Sequence, residues 1–375
     1  MRPSNLVVLS AVASLLFSTE GQANRVASIH FIGEKIFETG LQLDGTEVGG
    51  LSAITYDYGR ELYYTLSDDR KDYRWYTAGI DVSDDAADGP QIDVQFNSVT
   101  FLKAGEGQPP FAPEELDPEG LTLVGPHELF LAEEGVQTEL IDPSVRSFSL
   151  GGTQDKNLFV PHPYLPTADE SSGVRNNAAF ESLTVTPDRK WLITATENAL
   201  FQDGPAPTTS EGTLCRILIY DLRTHLPVAE DFYYTDPIAE EPEPADEFST
   251  TGLVELLAIN NEGSFLALER SFSVGKGNKV RLYEIHVDLP AHRTLRRLFE
   301  SLPAVEETPD LASLAVDKTL VFDFDQLGIE LDNVEGMTLG PKLADGRHLL
   351  VFVSDNNFDR EQFTQFLFFS VTFAE

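Results

Sequence analysis

Carboxylates return in this sequence at two fixed places of a repeated pattern. The pattern is plain in VEGMTLGPKLADGRHLLVFVSDNNF, residues 334–358. An acid followed by small or apolar residues opens a short strand. After a turn, a second and continuously apolar strand ends in acids or amides. The pattern recurs as DPEGLTLVGPHELFLAEEG from 117, ESLTVTPDRKWLITATEN from 181, VELLAINNEGSFLALERSF from 254 and GGLSAITYDYGRELYYTLSDDR from 49. The first place holds Glu119, Glu181, Glu255 and Glu335, with Gly49 aligned to them in the first copy. The second holds Asp68 and Asp69, Glu133 and Glu134, Glu197, Glu269, and Asp355 with Asn356.

The opening and second strands of a hairpin run antiparallel, so the start of one lies beside the end of the other. Both sets of acids are therefore expected at one mouth of the fold. Carboxylates crowded there must raise their pKa values or accept a cation. Calcium is the expected cofactor, because it takes oxygen ligands. The candidate metal ligands are Asp68, Asp69, Glu119, Glu181, Glu197, Glu255, Glu269, Glu335 and Asp355. The candidate catalytic residues are Glu119, Glu335 and Arg270. Arg70 and Arg270 each follow an acid, placed to pair with it or to hold an anion. Arg175, Asn176 and Asn177 precede Glu181 and are expected within reach of the same mouth. A structural reading competes throughout: recurrent acids also cap turns or bind backbone amides between repeats.

The elements that position these residues are strands. The anchors lie 62 to 80 residues apart, and each unit supplies about four strands separated by Gly, Asp, Asn and Pro turns. Repeats of that size predict an all-β fold, a β-propeller of four-stranded blades. The count gives five blades. A sixth would have to come from residues 311–327, in the longest connection. Residues 27–37 and 365–373 read as strands from the two termini that close the ring and remove its open edges. The fourth strand is placed at 158–164 in unit two and at 295–300 in unit four. Short helices are expected at 303–314 and 360–365. Residues 103–116, 202–213 and 236–250 interrupt the pattern, the last as an acidic, Pro-rich exposed loop.

The chain has 375 residues, with 26 Lys and Arg against 62 Asp and Glu, a net charge of −36. Hydrophobic residues make up 41%, with 25 Phe and 11 Tyr, enough for a large core rather than disorder. So acidic a surface excludes nucleic acid and anionic membranes as partners. Residues 1–23 read as a signal peptide: Arg2, an apolar run at 6–17, and Gly21 and Ala23 before the cut. Residues 24–375 then form a single domain that is secreted or periplasmic, with no transmembrane segment after cleavage. Cys215 is the one cysteine and is expected to be a small buried residue.

Familiar catalytic motifs are missing. Gly50-Leu51-Ser52-Ala53-Ile54 is the nearest approach to a G-x-S-x-G elbow, and it ends in Ile. No phosphate-binding glycine loop occurs, and the seven His residues have no zinc-site spacing. The order of the five blocks quoted above resembles the phytase-like family, "esterase-like activity of phytase", of exported bacterial proteins. The resemblance runs from about residue 27 to 373. It implies a propeller fold, export and a hydrolase acting on a phosphoester or another ester. Propeller phytases use calcium in an acidic channel, and at −36 an anionic substrate needs such a cation. The expected partner is a small anionic ester or polar ligand. The alternative is a non-enzymatic, calcium-stabilised propeller that binds a ligand or envelope partner.

Overall fold

The computed structural model describes residues 25–83, 89–290 and 311–374. Strand β1 (Val26–Glu38) comes first, then a small hairpin of β2 (Gln42–Leu43) and β3 (Thr46–Glu47). Blade one is β4 (Ala53–Asp57), β5 (Leu62–Ser67), β6 (Arg74–Ser83) and β7 (Gln91–Phe101). Blade two is β8 (Pro118–Gly125), β9 (Glu128–Glu133), β10 (Ser144–Ser149) and β11 (Gln154–Asn157). Blade three is β12 (Phe180–Val185), β13 (Trp191–Thr196), β14 (Leu214–Asp221) and β15 (Leu226–Tyr234). Blade four is β16 (Ser249–Ala258), β17 (Ser264–Ser273), β18 (Gly277–His286) and β19 (Lys318–Asp323). Blade five is β20 (Asn333–Lys342), β21 (His348–Asp355), β22 (Phe363–Phe373) and β1. The fold is a five-bladed all-β propeller.

The second strand of each blade is apolar on both faces because each blade stacks on two neighbours. Five hydrophobic clusters fill the five blade interfaces. Leu66 and Trp75 of blade one meet Leu121, Leu131 and Phe148 of blade two. Phe130 and Val145 meet Leu183, Leu192 and Leu218 of blade three. Ile193, Ile217 and Tyr233 meet Leu256, Phe265 and Ile285 of blade four. Leu266 and Leu282 meet Phe352, Leu367 and Phe369 of blade five. Val353 and Phe366 return to Ile54 and Tyr76 of blade one. The last interface makes the ring a closed stack, and β1 paired along β22 supplies the outer strands of blade five.

Several expectations are corrected. Residues 311–327 form no sixth blade; they hold a 3-10 turn (Leu311–Leu314), β19 and a second turn (Phe324–Leu327). The outer strand of blade four is β19, and the strand expected at 295–300 lies outside the described residues. The outer strand of blade two is β11, not 158–164. Pro161 and Pro163 have no N–H to donate to a ladder, and Leu158 and Tyr164 bury themselves in the interface with blade three. No helix forms at 360–365, where β22 begins at Phe363. Of the helix expected at 303–314, the described part is the Leu311–Leu314 turn. The signal peptide also lies outside the described residues.

Candidate functional site: an acidic mouth

Backbone pairing fixes the phase of the five blades. Glu134 donates its N–H to Asp117 O (3.0 Å), Glu197 to Ala179 O (2.7 Å) and Asp68 to Gly50 O (2.8 Å). Glu269 is paired with Leu253, and Asp355 with Asn333. Two residues beyond the first-strand partner stand Glu119, Glu181, Ser52, Glu255 and Glu335. The residue of blade one equivalent to the repeated acid is therefore Ser52, three positions after Gly49. Three residues further along each opening strand, Thr55, Thr122, Thr184, Ala258 and Thr338 line the opposite end of the axis, a cavity of about 740 Å³.

At the acidic end the cavity measures about 800 Å³. Asp68, Glu119, Glu181, Glu197, Glu335 and Asp355 line it, together with Arg70, Arg175 and Arg270. Three sequence candidates lie apart from this cavity. Asp69 accepts from Arg74 Nη1 at 2.6 Å and from Lys71 N at 2.9 Å. Glu255 accepts the backbone N–H groups of Leu183 (3.3 Å) and Leu256 (2.9 Å), clasping blade four to blade three. Glu269 accepts from Tyr233 Oη and Lys318 Nζ at 2.5 Å each and from Asp236 N at 2.9 Å. Blade four thus withdraws both acids. The next residue of its second strand, Arg270, enters the mouth instead. Its Nη2 lies 3.4 Å from Glu197 Oε1 and 3.1 Å from Glu335 Oε1.

Asp117 and Asn333 escape the sequence reading, yet both hold the site together. Arg70 grips Asp117 with Nε (2.7 Å) and Nη2 (2.5 Å), and Nη2 also reaches Asn177 Oδ1 at 3.1 Å. Asn333 Nδ2 donates to Glu335 Oε1 (2.8 Å) and Asp355 Oδ2 (3.4 Å). Their sequence signal is a position, two residues before a repeated acid. Glu133 turns away to Ser144 Oγ (3.0 Å), and Glu134 turns inward. Glu134 Oε1 accepts from Ala179 N at 2.5 Å, while Oε2 is buried without a hydrogen-bond partner.

The carboxylate oxygens gather in two triads, Asp117–Glu119–Glu134 and Glu134–Glu181–Glu197, each within 4.8 Å. Burial raises the pKa values of Glu119, Glu134 and Glu181 well above the carboxylate range, and neighbouring acids add to it. Burial lifts Asp117 to about 6 against the pull of Arg70. Glu335 is lifted to about 7 against Arg270. Asp355 is lifted to about 8 by burial and then by Glu335.

A pH dependence follows. Between the ordinary carboxylate pKa of about 4 and the folded-state values of Glu335 and Asp355, the folded protein binds more protons than the unfolded chain. Stability then falls as pH rises. The acids with lowered pKa, such as Asp57 and Asp69, are ionised in both states above about pH 5 and add no slope there. In chelator the melting temperature is expected to fall steadily from about pH 5.5 to about pH 8. A melting temperature that is flat or rising over that window means that the mouth acids ionise without cost.

The class of protein is now set: a five-bladed propeller with a buried acidic cavity at one end of its axis. The chain belongs to the phytase-like family, "esterase-like activity of phytase", whose model matches residues 46–358. It is 28% identical over 125 residues to an uncharacterized secreted protein of Arthroderma benhamiae. That match covers 32% of this chain, and it spans about a quarter, 24%, of the relative's length. Among solved structures, a protein of unknown function from Dyadobacter fermentans aligns over 92% of this chain and 100% of its own. Its identity is 12% and its TM-score 0.40. A gluconolactonase from Xanthomonas campestris aligns over 93% and 97%, at 9% identity and TM-score 0.35. No helix among the described residues is long and apolar enough to cross a membrane.

Proposed function

We propose that the acidic mouth is the active site of a calcium-assisted hydrolase acting on a phosphoester or a related ester. The observation that carries the proposal is Glu134. A carboxylate oxygen buried without a partner, at the corner shared by two carboxylate triads, asks for a cation. The donor set fits a hard divalent ion, because every ligand atom of both triads is a carboxylate oxygen. Asp117, Glu119, Glu134, Glu181 and Glu197 would hold it. When bound, such an ion supplies positive charge that acidifies water and polarises a phosphoryl or carbonyl oxygen.

The remaining groups have separate work. Arg175 lines the cavity and offers charge to an anionic substrate. Glu335 and Asp355, with pKa values of about 7 and about 8, keep a proton near neutral pH. A carboxyl poised there can protonate a departing alkoxide. Asn333 orients the pair through its two hydrogen bonds. Export is part of the proposal: the leader at 1–23 has the signal-peptide pattern, and the Arthroderma relative is named as secreted.

The test is turnover of p-nitrophenyl phosphate, p-nitrophenyl acetate and phytate, with calcium and with chelator. Hydrolysis of one or more that disappears in chelator and returns with calcium is the expected result. No turnover of any ester, with calcium raising only the melting temperature, leaves the binding propeller instead.

A further inference from the structure

The acidic mouth carries a second chemistry that its carboxylates do not explain. Phe248 stands directly before β16, lines the cavity and is 64% exposed. No described large apolar side chain is more exposed. A phenyl ring left in water is unfavourable, and the fold does not require it here. The position is held by main chain: Phe248 O accepts from Val274 N at 3.0 Å, and Ser249 pairs with Ser273. Phe272 of β17 lies 6.2 Å from Phe248, ring to ring, and lines the same cavity.

Two of the interruptions seen in the sequence build this lip. Residues 202–213 bring Ala206 and Pro207 to the cavity, and residues 236–250 bring Phe248. They are tied to each other and to blade four. Ile238 N donates to Thr208 O (2.9 Å), Thr209 Oγ1 to Glu241 Oε1 (2.5 Å) and Glu243 N to Val274 O (2.8 Å). Arg175 is fixed at the same lip, with Nε on Ala199 O (2.9 Å), Nη2 on Gly204 O (2.7 Å) and its guanidinium 4.4 Å from the Phe201 ring centre. Arg70 and Arg270 are engaged by carboxylates. Among the described residues no acid lies in ion-pair range of Arg175. The mouth therefore presents a cation without an acid partner and an apolar wall in one cavity. A densely charged polyanion gains nothing from the wall.

We infer that the ligand of this mouth is an amphiphilic ester, with one oxyanionic group toward Arg175 and the acid floor and an aromatic or branched aliphatic arm on Phe248 and Phe272. The inference rests on the hydrolase reading for the fate of the ester, and on the cavity alone for what binds. Its test is calorimetric titration of the calcium-loaded protein with phenylphosphonate and with methylphosphonate, neither of which can be hydrolysed as an ester. Phenylphosphonate is expected to bind about tenfold more tightly, the scale of moving part of a ring out of water. In Phe248→Ala, an exposed position whose change leaves the fold intact, the ratio is expected to fall below about threefold. Equal affinities in the wild type, binding of neither probe, or a preference untouched in the variant would overturn the inference. Turnover is scored separately: a protein with the ring preference but no hydrolysis of any ester keeps this inference and loses the hydrolase reading.

Discussion

Glu134→Gln is expected to abolish calcium-dependent hydrolysis while leaving a protein that melts, in chelator, at or above the wild-type temperature. Glutamine keeps the side-chain volume and keeps a carbonyl oxygen for the Ala179 N–H that Glu134 Oε1 now accepts. What it removes is the capacity to carry charge at a residue only 2% exposed, together with the oxygen that has no partner. Without a cation that charge is a cost, first because it is buried and then because its neighbours Asp117 and Glu197 are also acids. The new amide N–H₂ can donate to them. With a cation the same charge is the ligand common to both triads. The loss in kcat/KM should exceed the roughly 100-fold reached when a group outside the ligand set is changed. Turnover and melting temperature are read together, each with calcium and with chelator. A variant that hydrolyses ester at the wild-type rate and still gains stability from calcium would show that the cation sits elsewhere.

Arg270→Met is the second large effect, and it falls on stability. The Arg270 side chain is 13% exposed, and its guanidinium stands between Glu197 and Glu335. Removing one partner of a buried ion pair costs about 3–5 kcal/mol, because the remaining charge is left without compensation. The cost depends on pH in a definite direction. Near pH 8 Glu335 carries charge, and the full loss appears. Near pH 5 Glu335 takes up a proton, since burial lifts its pKa to about 7 even against the pull of Arg270. The loss then shrinks. Denaturant unfolding at the two pH values measures it. An equal loss at both would mean that Arg270 stabilises the fold by packing and not by charge.

Much of this architecture was legible in the sequence, and the reason is repetition. Five copies of one hairpin pattern fix the blade count, the stacking of second strands and the end of the axis at which the acids lie. The departures from the pattern were not legible. Glu269 and Arg270 are adjacent, so strand alternation sends one inward and one outward, and the sequence does not say which. The choice is made by Lys318, 49 residues away, which draws Glu269 outward. Gly49 aligns with the acids by pattern because the pair Gly49-Gly50 opens this copy, while the true equivalent, Ser52, is itself no acid. The backbone bond from Asp68 N to Gly50 O resolves it. Asp117 lay outside the repeated acid position, and its importance comes from an arginine in the neighbouring blade. The fourth strand of blade two failed for a local reason, the prolines at 161 and 163, which apolar content alone did not outweigh.

The pairing of β1 with β22 also sets a schedule. Ser28 and Thr372, joined by a side-chain hydrogen bond, lie 344 residues apart. A chain synthesised from its N-terminus has β1 in hand long before its partner exists. Blades one to four can assemble from contacts between near neighbours, but the circle is sealed by the last stretch to be made. Until then β1 is an unpaired strand, and the faces of blades one and four that blade five will cover stand open. Contacts of such long sequence separation form late and slowly. The nascent protein thus passes through an arc before it becomes a ring, and the arc is its sticky stage.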